Sequence, residues 1–94
     1  MLINIGYGNF ASREKLVAVL KPGSSPLRRL VREAREDHML LDATLGRKTR
    51  SILIMNSGHI ILSPSLPETI IDRSRQNKLA TGEDDTVMEI SEDE

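Results

Sequence analysis

The chain has 94 residues, one small domain near the lower end of what buries a self-sufficient core, so assembly into an oligomer is a natural way to add buried area. Having no cysteine, it excludes a disulfide framework, a thiolate metal site and a cysteine nucleophile; one Phe, one Tyr and no Trp leave the core to aliphatic side chains. The net charge of -1 hides an asymmetry, because up to residue 82 thirteen bases face seven acids, a balance of +6, whereas residues 83–94 hold seven acids and no base.

Leu2-Ile3-Asn4-Ile5, closed by Gly6, reads as a first strand with a tight exit. Gly6-Tyr7-Gly8-Asn9-Phe10-Ala11 then matches the letters of the G-x-G-x-x-A dinucleotide fingerprint. That fingerprint needs a strand, a helix, a second strand and an acid about 20 residues on. Glu33 has the spacing but falls in an expected helix, and the chain is too short for a doubly wound domain. Gly6 and Gly8 are read instead as permitting a backbone turn.

Lys15 to Leu20 fits the period of a strand or of a helix. Its β-branched content and the stop at Lys21-Pro22-Gly23 favour a strand. Arg13 and Lys15 stand at its start, either extending a basic surface or acting as ordinary strand-edge charges.

Ser24-Ser25-Pro26 opens the clearest helix, with Ser25 as the expected cap and Pro26 at the first helical position. Leu27, Leu30, Val31 and Ala34 follow on one apolar stripe. The other face carries Arg28, Arg29, Arg32 and Arg35 beside Glu33 and Glu36, and Arg29 with Glu33 and Arg32 with Glu36 sit one turn apart where they can pair. A mixed face of this kind, Arg28 and Arg32 included, suits a solvated helix or a subunit interface; a major-groove recognition helix is the competing reading. His38 and His59 have no second histidine at ligand spacing, so no metal site is expected.

Leu40 to Thr44 reads as a strand, with Asp42 as its single acid and a candidate hydrogen-bond partner for Arg47 or Arg50. Next comes Gly46-Arg47-Lys48-Thr49-Arg50, three cations in five residues between apolar runs, expected as a charged hairpin tip held out in water. Arginine offers a planar fork that fits phosphate oxygens or a guanine edge, and lysine adds a compact charge. This loop is read as the contact surface; the plain alternative is a solvated turn that keeps two strands soluble.

Ser51 to Met55, a turn at Asn56 to His59, and Ile60 to Ser63 read as a β-hairpin. Its runs are continuously apolar, which implies burial on both faces, and one helix cannot easily cover both. Packing against another protomer is the expected cover. Ser65-Leu66-Pro67-Glu68 matches a capping box before a short second helix ending near Arg75. Arg73, Arg75 and Lys78 are a minor phosphate contact or a polar exit. From about Leu79 the charge density predicts a disordered acidic tail, which either aids solubility or competes with nucleic acid for the basic surface.

The expected fold is thus a small α/β (α+β) domain over 1–78, with a mostly antiparallel sheet, one main helix and a short C-terminal helix, followed by the tail at 79–94. No nucleophile motif, paired carboxylates with a histidine, or Walker-type lysine is present, so neither catalysis nor a cofactor is expected. No apolar run reaches the roughly 20 residues of a membrane span and no signal peptide is evident, so a cytoplasmic protein is expected. Duplex DNA is the expected partner. A protein-interaction module using the helix arginines is the alternative, as is RNA binding, although the scarcity of aromatics argues against base-stacking platforms.

The stretches Leu2 to Asn9, Ser24-Ser25-Pro26, Leu41 to Thr44 with Gly46 to Arg50, Ile54-Met55 to Ser63, and Pro67-Glu68-Thr69 resemble the bacterial extracellular matrix regulatory protein RemA and its relatives. The similarity runs over roughly residues 2 to 75 in the same order. It implies a LytTR-like DNA-binding protein, nucleoid-associated, whose protomers assemble into a ring of seven or eight and regulate transcription of biofilm matrix genes. By that resemblance the arginine pair of the family's loop falls on Arg47 and Lys48, a basic functional position falls on Lys15, and Pro26 matches a proline implicated in the family. Lys48 and Lys15 replace arginines, so a bidentate contact becomes a point charge there.

Overall fold

The computed structural model describes residues 1–75; the expected acidic tail, and Lys78 before it, lie outside the described residues. Two sheets and two helices form an α+β fold. Strands β1 (Leu2–Gly6) and β2 (Asn9–Ser12) make an antiparallel hairpin, Leu2 opposite Ser12 and Gly6 opposite Asn9. Tyr7 and Gly8, both at positive φ (53° and 78°), form its two-residue turn, the left-handed pair that matches the twist of flanking strands. The glycines of the fingerprint-like motif therefore serve a hairpin, and no helix follows them. Gly6 itself sits at φ 119°, and a Cβ there would lie 2.7 Å from Pro64 Cγ, so both backbone conformation and space require glycine.

A single 3₁₀ turn over Arg13–Lys15 leads into β3 (Leu16–Leu20). Then come α1 (Ser25–Glu36), β4 (Leu40–Asp42), β5 (Ser51–Met55), β6 (Ile60–Ser63) and α2 (Pro67–Arg75). The four-stranded sheet has the order β3-β5-β6-β4; β3 and β6 flank β5 antiparallel, and β4 runs parallel to β6.

Residues of β5 and β6 alternate between the two faces as the period of two demands. Ile52, Ile60 and Leu62 pack with Ala34 of α1, joined by Leu27, Leu30 and Val31. Leu53 and Ile61 face the other way, into a cluster with Ile3, Ile5 and Ala11 of the hairpin and Ile70 of α2. The molecule thus has three layers, and its own chain covers both faces of the central sheet. This overturns the expectation that a neighbouring protomer must supply the second cover: the β1–β2 hairpin and α2 supply it.

The second interface includes buried hydroxyls that are all engaged. Ser51 Oγ donates to Ser65 O at 2.5 Å, Ser63 Oγ donates to Ile5 O at 2.7 Å, and Ser65 N donates to Ser63 Oγ at 3.1 Å. Half-buried Arg73 completes the tie, its Nη1 donating to Asn4 O at 2.8 Å and to Ser65 Oγ at 3.3 Å. Arg73 is therefore a clamp between α2 and β1 rather than a phosphate contact or a polar exit. The same engagement corrects the expected capping box. Ser65 is buried two residues before Pro67 and does not cap α2.

Helix α1 is capped by Ser24, whose Oγ accepts from Leu27 N at 3.3 Å, one residue earlier than the expected Ser25; Pro26 follows in the first turn. Ser24→Ala is expected to cost about 1 kcal/mol of unfolding free energy, read as a shifted urea midpoint, while Ser25→Ala costs less.

Candidate nucleic-acid interface

Because β4 and β5 lie on opposite sides of β6, residues 43–50 do not form the expected hairpin tip. They cross over the C-terminal end of β6 and are pinned at both feet, Ala43 N donating to Leu62 O at 2.9 Å and Arg50 N to Ser63 O at 2.8 Å. Within the crossing, buried Thr44 is held by Asp42, whose Oδ1 accepts from Thr44 N at 2.9 Å and Thr44 Oγ1 at 2.6 Å. Leu45 and Gly46 then turn the chain with positive φ (52° and 78°), closed by Arg47 N donating to Thr44 O at 2.9 Å. A leucine in that conformation, 69% exposed, is strained backbone directly beside the basic residues.

The expectation that Asp42 would steady Arg47 or Arg50 fails, since its acceptor is taken up by Thr44. That pair of hydrogen bonds holds the Asp42 carboxyl below its ordinary range, burial opposing and Arg35 assisting. A depressed folded-state pKa contributes stability above the unfolded value and loses it as pH falls through the folded one. Asp42→Ala is therefore expected to be less stable than the parent at pH 7, with the gap narrowing below about pH 4; urea titrations at both pH values check this.

The loop's cations divide between two neighbours. The Arg47 guanidinium carbon stands 5.6 Å from the centroid of the Tyr7 ring in the β1–β2 turn, a cation–π contact worth about 0.5–1 kcal/mol at an exposed site. Lys48 and Arg50 instead line a cleft of 280 Å³ with Lys21, Pro22, Thr49, Leu66, Pro67 and Glu68. All three cations there are exposed, and among the described residues none makes an ion pair; the single pair found joins the Met1 amino group to Glu14 at 2.8 Å.

Tyr7 and Lys21 were not singled out as site residues from the sequence. The signal for Lys21 lies in register: it directly follows β3, whose Leu20 pairs with Ile52, so it must arrive beside the start of β5 and the loop before it.

Arg13 and Lys15 are not brought to this site. They occupy the 3₁₀ turn before β3, and Lys15 O accepts from Asn56 N in the β5–β6 turn. The five residues of β3 separate them from the loop, on the order of 15 Å along the strand. On α1, Arg28 is committed to the helix start, Nη1 donating to Gly23 O at 2.7 Å and Nη2 to Ser25 Oγ at 3.0 Å. Arg32 is exposed, and neither Arg32–Glu36 nor Arg29–Glu33 forms an ion pair. His59 Nδ1 lies 2.7 Å from Ser57 Oγ in the turn. Among the described residues no group of His, Asp or Glu could hold a metal ion, and no helix is long and apolar enough to cross a membrane.

The family model described as RemA-like, extracellular matrix regulatory protein A-like, matches residues 2–73. Chains of Bacillus cytotoxicus, Bacillus mycoides and Bacillus cereus, each bearing the name "Putative regulatory protein", are 54% identical to this one over 71 residues, covering 76% of this chain and 82% of theirs.

Proposed function

The chain belongs to the RemA-like family of regulatory proteins, and from that premise we propose that it is a non-catalytic transcriptional regulator that binds double-stranded DNA as a homo-oligomer. The observation that carries the reading is the crossover loop. Its Arg47, Lys48 and Arg50 project from one end of the sheet without ion-pair partners among the described residues, on a frame pinned to β6. Arg47 brings a fork suited to phosphate or a guanine edge, and Lys48 a point charge. The described residues 1–75 carry twelve bases against seven acids, a balance of +5 that favours a polyanionic partner.

One protomer offers too few contacts for tight binding at physiological salt. Repeating the loop in a closed array, the ring of seven or eight that the family resemblance implies, supplies avidity and releases more counterions. With both faces of the central sheet covered by the chain itself, assembly would use the sheet edges β3 and β4 and exposed apolar side chains such as Val17 (64% exposed) and Phe10 (55%). Arg13 and Lys15, at the far end of β3, join the DNA surface where a neighbouring protomer or a curved duplex reaches them. A bacterial cytoplasmic, nucleoid-associated location belongs to the same reading.

The test combines light scattering with fluorescence anisotropy on a labelled duplex across a salt series. Expected is an oligomer at micromolar protein whose log Kd rises steeply with log salt. A monomer with equal affinity overturns the array, and no duplex binding at low salt overturns the reading.

A further inference from the structure

We infer that the cleft between the end of β3, the crossover loop and the start of α2 is a phosphate-binding seat, with Lys21 as its third cation. Lys21, Lys48 and Arg50 come from two separate segments and converge on one concavity. Pro22, Leu66 and Pro67 provide stiff apolar walls, half-buried Thr49 adds a hydroxyl donor, and Glu68 alone among the lining residues opposes the positive charge. Cations with no other role spread apart in water, because their mutual repulsion disfavours the folded state. Here the fold gathers them instead, beside the first turn of α2, whose direction also favours negative charge.

Charge sets the ligand class. At 280 Å³ the cleft has ample room for a phosphoryl group, and its three cations against one acid favour an anion of that kind. Its frame is already set, since Arg50 N is bonded to Ser63 O and the Ser51 hydroxyl to Ser65 O, which fixes the loop's exit against the segment leading to Leu66 and Pro67. A ligand therefore meets a site that needs little ordering. The phosphoryl group has two available sources, a DNA backbone phosphate, which rests on the reading above, or a free phosphorylated solute, which does not.

The experiment compares wild type, Lys21→Ala and Glu68→Gln in two assays. Thermal melts with pyrophosphate against chloride at matched ionic strength are expected to show stabilisation of the wild type, loss of it in Lys21→Ala and a larger gain in Glu68→Gln. Both substituted side chains, Lys21 and Glu68, are exposed, so the variants fold. Anisotropy with duplex DNA is expected to show Lys21→Ala binding about five- to tenfold more weakly for each protomer engaged on the duplex, with a salt slope lower by about one per engaged protomer. Loss of pyrophosphate stabilisation with unchanged DNA affinity supports the seat and assigns it to a free phosphorylated solute. Wild type that binds no DNA yet is stabilised by pyrophosphate through Lys21 keeps the seat and sinks the DNA reading. Lys21→Ala that matches wild type in both assays overturns the inference.

Discussion

Leu53→Ala is expected to lower the unfolding free energy by about 3–4 kcal/mol, one of the largest single losses available in this chain. Leu53 is 0% exposed and sits on β5, where it meets the β1–β2 hairpin and Ile70 of α2. Removing its methyls takes away the transfer free energy of the buried atoms and leaves a void lined by Ile3, Ile5 and Ile61, which cannot all move to fill it. A domain of this size holds roughly 5–10 kcal/mol, so about half of its stability goes. Ile54→Ala, half-buried in the same strand on the α1 side, is expected to cost distinctly less. Urea unfolding followed by circular dichroism reads both, and equal losses would contradict the three-layer arrangement.

The second large effect concerns binding. Replacing Arg47, Lys48 and Arg50 together by alanine is expected to reduce the slope of log Kd against log salt by about 2.7 for every protomer whose loop engages the duplex, since each phosphate neutralised contributes about 0.9. At physiological salt that amounts to loss of measurable binding. Stability should change little, because the loop's frame uses main-chain groups together with Asp42 and Thr44. Arg47→Ala alone also breaks the contact with Tyr7, so Tyr7→Leu provides the control: it removes the ring but keeps the guanidinium. A triple variant that keeps full affinity and an unchanged slope would place the contact surface elsewhere.

Elements with strong local patterning were legible in the residues alone. The apolar stripe of α1 and the β5–β6 hairpin needed only period and turn chemistry. Strand β2 was not, because its four residues hold two apolar side chains and lie inside the letters of a dinucleotide fingerprint. The parallel pairing of β4 with β6 is a long-range relation that no local pattern encodes, and missing it made a crossover look like a hairpin tip. Ser25 is the expected cap of α1, but backbone geometry places the cap one residue earlier, at Ser24, a shift that sequence pattern alone does not resolve. Ser65 looked like a cap as well, but tertiary bonds to Ser51, Ser63 and Arg73 claimed it. The argument for assembly from uncovered sheet faces failed for a related reason: the first hairpin and α2 form a layer that the sequence shows only as separate short elements.

For the candidate site, residue types were readable and their grouping was not. Arg47, Lys48 and Arg50 are contiguous and could be found by inspection. Lys21 joins two of them only through the antiparallel register of β3 and β5, and that register carries Arg13 and Lys15 away to the opposite end.

The crossing segment is fastened at its feet, Ala43 and Arg50, while its exposed side chains take no part in the fastening. Mutation can therefore exchange letters at the apex over generations without unsettling the scaffold. Chains that share this architecture are free to differ in the charge and hydrogen-bonding character of the apex.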